Sequence, residues 1–344
     1  MDPLLLLSQA LLSALGANAV AASAPELLPG HLLRLGLAFL AAFVAARIPL
    51  RLWVRAGLYL YLLSLLLLVL TLFVGEEING ARRWINLGGF SLQPSEFAKL
   101  SLVLYLAGYL ARHGTDHPIS GPVFLIGLGV AAVALEPDFA GALFLLALAF
   151  LLFLAVGVPL RRILAIGAAS GLVALATQGL YLSHYRHVLE RIHAFLAQGG
   201  GSYQIERAEA AILAGGLFGQ GPGAAMPYVP YAYNDMAFAA LAFALGGLGV
   251  LLLFGAYTLV LGRGLQIAAR TEGATSVVAL GATTTILLAA TLHVAVVLGL
   301  LPPTGLPLPL VSYGGSATLA FGLAFGLLHR AAREALPAPA EEKG

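Results

Sequence analysis

Ten apolar runs of about twenty residues each dominate this chain. A run of that length and polarity is what a helix needs to cross the hydrocarbon of a bilayer. Backbone polar groups in lipid must be satisfied within the segment, so each run reads as a helix. They lie near 4–22, 31–48, 55–75, 95–112, 119–136, 139–158, 161–182, 236–262, 274–300 and 311–333. The expected fold is therefore an all-α polytopic membrane protein with about ten transmembrane helices. Composition agrees: 18 basic and 16 acidic residues in 344 make 10% charged, where a soluble domain carries about 25%. That excludes a disordered chain and an ordinary soluble globule. The absence of cysteine excludes disulfides, thiol nucleophiles and cysteine metal sites. A net charge of +2 is too small to point to nucleic acid. The first run carries Gly16 and Asn18 and has the length of a signal peptide. It lacks a basic start, so it reads as a retained span.

Charge placement sets the topology. With both ends inside, Arg47, Arg51, Arg55, Arg112, Arg161, Arg162, Arg263, Arg270, Arg330, Arg333 and Lys343 fall on one side, eleven of the eighteen basic residues. The positive-inside rule makes that side cytoplasmic. Ten of the sixteen acids, Glu76, Glu77 and Asp235 among them, fall on or near the other side. The chain reads as a single transmembrane domain over 1–336 with a disordered cytoplasmic tail, 337–344. One connection is long: residues 183–235, between the seventh and eighth helices, form an outer loop rich in Gly, Tyr and Arg. Loops of this length in compact proteins are usually functional.

Ionisable residues at the edges of spans are costly and default to functional hypotheses. Four stretches qualify. In Gln93-Pro94-Ser95-Glu96-Phe97-Ala98-Lys99, Ser95 is placed to cap span four, and Glu96 and Lys99 share a helical face and can pair. Arg82, Arg83 and Trp84 precede them in an interfacial turn; the plain alternative is a neutral structural pair beside an aromatic belt. In Glu136-Pro137-Asp138, Pro137 breaks the chain between two spans and Asp138 can cap the next helix. In Pro227–Phe238, Asn234 and Asp235 open span eight beneath three tyrosines. Either can simply cap the helix, and Asp235, partly desolvated, can also serve as a general base. In Pro309–Ser316, Ser312, Tyr313, Gly314, Gly315 and Ser316 suggest a helix start with exposed N–H groups able to bind phosphate, or a close helix contact. His293, inside span nine, reads as an interhelical hydrogen bonder. His184, His187 and His193 lack acidic partners at metal spacing. The glycine-rich 215–223 stretch follows no strand, which argues against a nucleotide fold.

Taken together these stretches resemble the SEDS family (shape, elongation, division and sporulation), the RodA and FtsW proteins of the bacterial cell wall. The resemblance rests on Asn79–Ile85, Gln93–Glu96 with Lys99, Glu136–Asp138, Ser202-Tyr203-Gln204, Gly216–Gly221, Asn234-Asp235 with Phe238-Ala239, and Pro309–Ser316, in the family's order. RodA-like and FtsW-like features are mixed. The resemblance implies a peptidoglycan glycosyltransferase that polymerises lipid II at the outer face of the cytoplasmic membrane. It implies a class B penicillin-binding protein as partner, with lipid II, the nascent lipid-linked glycan and membrane lipids as its other contacts. The family's essential carboxylate falls on Asp235. Substrate contacts are expected from Arg47, Arg82, Arg83, Trp84, Gln93, Ser95, Glu96, Lys99, Asp138, Tyr203, Gln204, Asn234 and Ser312–Ser316. Arg191 and Arg207 are further pyrophosphate or loop partners. No protein metal site is expected, and no cofactor is required, although a divalent cation such as Mg or Mn is compatible with a diphosphate substrate. The chain departs from the family pattern at Tyr231, Phe243 and Ala244, where acids are usual. Two other classes fit part of the pattern: a lipid II flippase or related transporter, which needs polar residues through the whole bundle depth, and a non-catalytic scaffold of the cell-wall machinery.

Overall fold

A computed structural model describes residues 1–78, 81–86, 88, 91–165, 167–168 and 203–335. Most of the seventh expected span, residues 183–202 of the long loop, and the tail from 336 lie outside the described residues. Ten α-helices have described bounds, and residues 160–165 are helical as well. They are α1 (Pro3–Ser23), α2 (Leu28–Arg47), α3 (Leu50–Val74), α4 (Pro94–His113), α5 (Ser120–Leu135), α6 (Phe139–Ala155), α7 (Tyr203–Gly215), α8 (Ala237–Ala269), α9 (Gly273–Val297) and α10 (Gly315–Glu334). α1, the stretch Pro25–Arg47, α3, α8 and α9 are long and apolar enough to cross a membrane; α5 and α6 are shorter apolar helices. The protein is a polytopic all-α membrane protein, as its sequence predicts.

Small residues set the helix contacts, as expected where lipid supplies no hydrophobic drive between helices. α10 packs on α2 through Gly322, against the Ala38 backbone, and Gly326, against Ala42 and Ala45; any Cβ there would fall within 3.0 Å of those atoms. The order of these contacts makes α2 and α10 run in the same direction. Tyr313, just before α10, therefore lies near the start of α2, and Arg47 lies at the opposite end of the bundle. That opposite end is tied by Asp2. Its carboxylate caps α1 through Leu4 N and Leu5 N and meets Arg263 of α8 at 2.6 Å.

Two departures from the sequence reading concern the Asp235 end. Residues expected to make an interfacial turn form a small antiparallel sheet: β1 (Glu76–Ile78), β2 (Ala81–Asn86) and β3 (Ser91–Leu92), in the order β1-β2-β3. Trp84 lies opposite Glu76, and Ile85 opposite Leu92. Trp84 and Ile85 in β2 are residue types that favour a strand. The second departure is at the start of α4. Gln93, not Ser95, is the N-cap, because Pro94 is pre-set for the first helical position and starts the helix earlier.

α8 is broken at Gly246, whose backbone turns to φ +64°, ψ −162°. The glycine-rich stretch after α7 repairs the break. Gln220 N and Gly221 N donate to Phe243 O and Ala244 O at 2.9 Å, and Gly247 N and Leu248 N donate to Gly216 O and Leu217 O. A Cβ at Gly219 would sit 2.3 Å from Ala244 O, so the loop can approach only as glycine. The kink thus keeps its backbone groups paired.

Candidate active site around Asp235

The segment before α8 turns sharply. Tyr231 holds left-handed backbone (φ +55°), and Asn234 N and Met236 N both donate to its carbonyl. Met236 is the N-cap of α8, and no side chain caps the helix. Neither Asn234 nor Asp235 is therefore spent on capping, the plain alternative for both. Asp235 is half-buried.

A second loop, 305–313, locks onto this turn. Ser312 Oγ donates to Asn234 O at 2.7 Å and accepts from Leu308 N at 2.8 Å. Tyr313 N donates to Tyr233 O at 2.8 Å. Gly305, in left-handed backbone, leaves room for the carboxylate: a Cβ there would lie 3.7 Å from Asp235 Oδ2. His293 of α9 joins the 305–313 loop to the first turn of α8. Its Nδ1 donates to Leu306 O at 2.7 Å, and its Nε2 accepts from Phe238 N at 3.4 Å. It is the interhelical bonder the sequence suggested, and the two partners together select one neutral tautomer.

Burial lifts the Asp235 carboxyl to about 6, against the opposing pull of the Arg83 guanidinium. Arg83, on β2, is itself clasped by the break between α5 and α6. Its Nε donates to Glu136 O at 3.0 Å, its Nη2 donates to Pro137 O, and its Nη1 lies 3.9 Å from Asp138 Oδ1. Asp138 caps α6 through Gly141 N at 3.0 Å, as expected. Glu136 is fully buried, and neither carboxyl oxygen has a hydrogen-bond partner among the described residues. Burial, then the Asp138 charge, push it up to about 9, against Arg83. It is a neutral acid at neutral pH.

The remaining expected residues divide. Glu96 and Lys99 form a buried pair at 2.6 Å, with the Lys99 ammonium 4.6 Å from the Phe144 ring centre. Ser316 Oγ donates to Ser91 O and accepts from Gln93 N, tying β3 and the start of α4 to α10. Ser95 Oγ is buried without a partner among the described residues. Gly314 is the N-cap of α10 and no side chain caps it, so the first N–H groups of that helix are not satisfied by a side chain. Gln204 Nε2 donates to Pro230 O and Arg207 Nε to Tyr228 O, fastening α7 to the tyrosine-rich turn. Tyr203 and Arg82 are exposed, and Trp84 is half-buried. Arg47 is not brought to the site: it stacks on Phe43 at the far end of α2. Arg191 lies outside the described residues. Sequence reasoning missed Arg34, whose guanidinium lies 4.0 Å over the Tyr313 ring; a lone arginine in an apolar run was the available signal. Among the described residues no three His, Asp or Glu side chains gather as a metal cage.

The family model described as "Cell cycle protein", that of FtsW, RodA and SpoVE, matches residues 13–336. This chain belongs to that family. It is 37% identical over 324 residues to a probable peptidoglycan glycosyltransferase FtsW of Coxiella burnetii, covering 88% of this chain and 86% of that protein. A second such FtsW, from Thioalkalivibrio sulfidiphilus, is 39% identical over 87% of this chain and 78% of its own length. Among solved structures, a chain from a study of how a peptidoglycan synthase complex coordinates polymerization and crosslinking superposes with a TM-score of 0.79. It is 31% identical and covers 97% of this chain and 98% of that one. The rod shape determining protein RodA of Thermus thermophilus superposes with a TM-score of 0.73 at 29% identity, over 98% of both chains.

Proposed function

We propose that this family member is a peptidoglycan glycosyltransferase that polymerises lipid II, with Asp235 as its general base. The observation that carries the assignment is the state of that carboxylate: half-buried, not used as a helix cap, and poised near 6. A base with that affinity is ionised at neutral pH and still holds a proton well enough to draw one from an alcohol.

The acceptor is the 4-hydroxyl of the terminal GlcNAc. Asp235 takes its proton as the oxygen attacks the donor's anomeric carbon. The bond from that carbon to the diphosphate oxygen breaks, and the polyprenyl diphosphate departs with the electron pair. One displacement inverts the anomeric centre. A diphosphate leaves as an anion, so no general acid is needed, unlike the hydrolysis of an ordinary glycoside. The growing negative charge is met by Arg82 and by the N–H groups at the start of α10, and Arg83, its donors spent on the α5–α6 break, adds only its field. Arg83 also ties the charge of the site to the α5–α6 break. Phe243 and Ala244, where the family usually carries acids, are buried in the outer half of α8. The reaction as written needs no second carboxylate there.

In this reading the site faces the extracytoplasmic side and both termini are cytoplasmic. The partner is a class B penicillin-binding protein that crosslinks the strands. A transporter reading asks for charged groups through the full bundle, whereas among the described residues the buried charged side chains, Glu96, Lys99, Glu136 and Asp138, lie at the Asp235 end. The test is polymerisation of lipid II by purified protein, alone and with the crosslinking partner. Polymer that vanishes in Asp235→Asn while the fold persists supports the assignment; undiminished polymer rejects it. Lipid II translocation in vesicles that survives the substitution points to the transporter.

A further inference from the structure

Arg34 lies in the first half of α2, inside an apolar run where an unpaired guanidinium is costly. Tyr313 covers one face of it at 4.0 Å, yet its Nη1 is buried and has no hydrogen-bond partner among the described residues. Three residues earlier, on the same face of α2, His31 is fully buried. Neither of its ring nitrogens has a partner among the described residues, and its ring lies 6.1 Å from that of Tyr313. Gly30 lets Tyr313 and Arg34 pack close against α2: a Cβ there would stand 3.3 Å from the Tyr313 hydroxyl and 3.7 Å from Arg34 Nη1.

Next to Tyr313 stands Gly314, the uncapped start of α10, so the positive end of a helix dipole adjoins the cluster. Tyr313 N is bonded to Tyr233 O, two residues from Asp235. Arg83 differs in that its nitrogens already bind Glu136, Pro137 and Asp138. Arg34, by contrast, keeps a buried donor without a partner among the described residues. Below it, Leu33, Leu37 and Leu40 form an exposed apolar stripe along α2.

Several donors without an acceptor, beside a helix N-terminus and above an apolar track, call for a multiply charged oxyanion joined to a hydrocarbon tail. We infer that His31, Arg34 and the start of α10 bind the diphosphate of a polyprenyl lipid, with the chain lying along the leucine stripe. The choice of a polyprenyl diphosphate rests on the glycosyltransferase reading; the anion site rests on the geometry alone. Arg34 supplies a planar, charge-assisted fork and Tyr313 holds it in place.

The test is equilibrium binding of undecaprenyl diphosphate to the full chain in nanodiscs, with inorganic pyrophosphate and undecaprenol as the other probes. Wild type is expected to bind the lipid diphosphate, and Arg34→Gln to bind it at least about tenfold more weakly. His31→Asn weakens it less, and undecaprenol binding is unmoved by any of them. Unchanged lipid diphosphate affinity in Arg34→Gln overturns the site. Should that variant not fold, Arg34→Lys decides: it keeps the charge but loses the stacked fork, and is expected to bind about threefold more weakly, with equal affinity overturning the proposal. Pyrophosphate binding as tightly as the lipid overturns the lipid assignment. Polymerisation assays separate the two readings: an Asp235→Asn chain that still polymerises sinks the general base and leaves the Arg34 site standing, because the binding assay involves no turnover.

Discussion

Glu96 and Asp235 are two carboxylates at the same end of one bundle, and the protein treats them in opposite ways. Glu96 is buried against Lys99 at 2.6 Å, one helical turn away, and its charge is cancelled on the spot. Asp235 is half-buried at a turn held by backbone bonds, and Arg83, whose charge acts on it, is committed to another break in the chain. A locally paired charge is a structural fixture, whose loss leaves its partner stranded. A charge held by remote loops and only partly hydrated keeps its proton affinity close to neutral, where it can exchange protons with a substrate.

The sharpest way to break the comparison is Asp235→Asn. Polymerisation of lipid II is expected to fall by about 10² to 10⁴-fold, the usual contribution of a general base, with the melting temperature nearly unchanged. Lys99→Met should do the reverse. It strands Glu96 and is expected to cost about 3–5 kcal/mol of stability, read by thermal unfolding in detergent. The double change Glu96→Gln with Lys99→Met should restore much of that loss. Recovery of activity without recovery of stability would show the pair to be chemical rather than structural.

Arg83→Gln tests the link between the two regions. The wild-type rate should rise with pH through about 6 and level off above it, because the base works only when ionised. Removing the guanidinium that lowers Asp235 moves that rise to higher pH. A profile with an unmoved midpoint would detach Arg83 from the site. Glu136→Gln tests the buried acid of that break. Folded protein keeps the Glu136 proton up to about 9, whereas an unfolded chain releases it near 4.5. Wild-type stability therefore falls as pH rises across that window. Glu136→Gln should match wild type at low pH and melt higher at pH 8–9.

Much of this protein was legible in the sequence because it is local. A twenty-residue apolar run has one economical solution in lipid, so α1, α3, α8 and α9 follow from composition along the chain. Glu96 and Lys99 meet because they are three residues apart on a helix, and Asp138 caps α6 because the next turn begins beside it. The sequence also singled out Asp235 through its motif, but left open whether it caps a helix. Only the tertiary structure closed that question, by making Met236 the cap and setting Gly305 beside the carboxylate. It alone decided that Arg83 grips the Glu136–Asp138 break, that His293 joins the 306 loop to α8, that the 216–221 loop mends the Gly246 kink, and that Arg34 lies over Tyr313. Each of these joins segments far apart in the chain. Spacing cannot encode such meetings, because they depend on which helices pack together and how closely their small residues let the backbones approach.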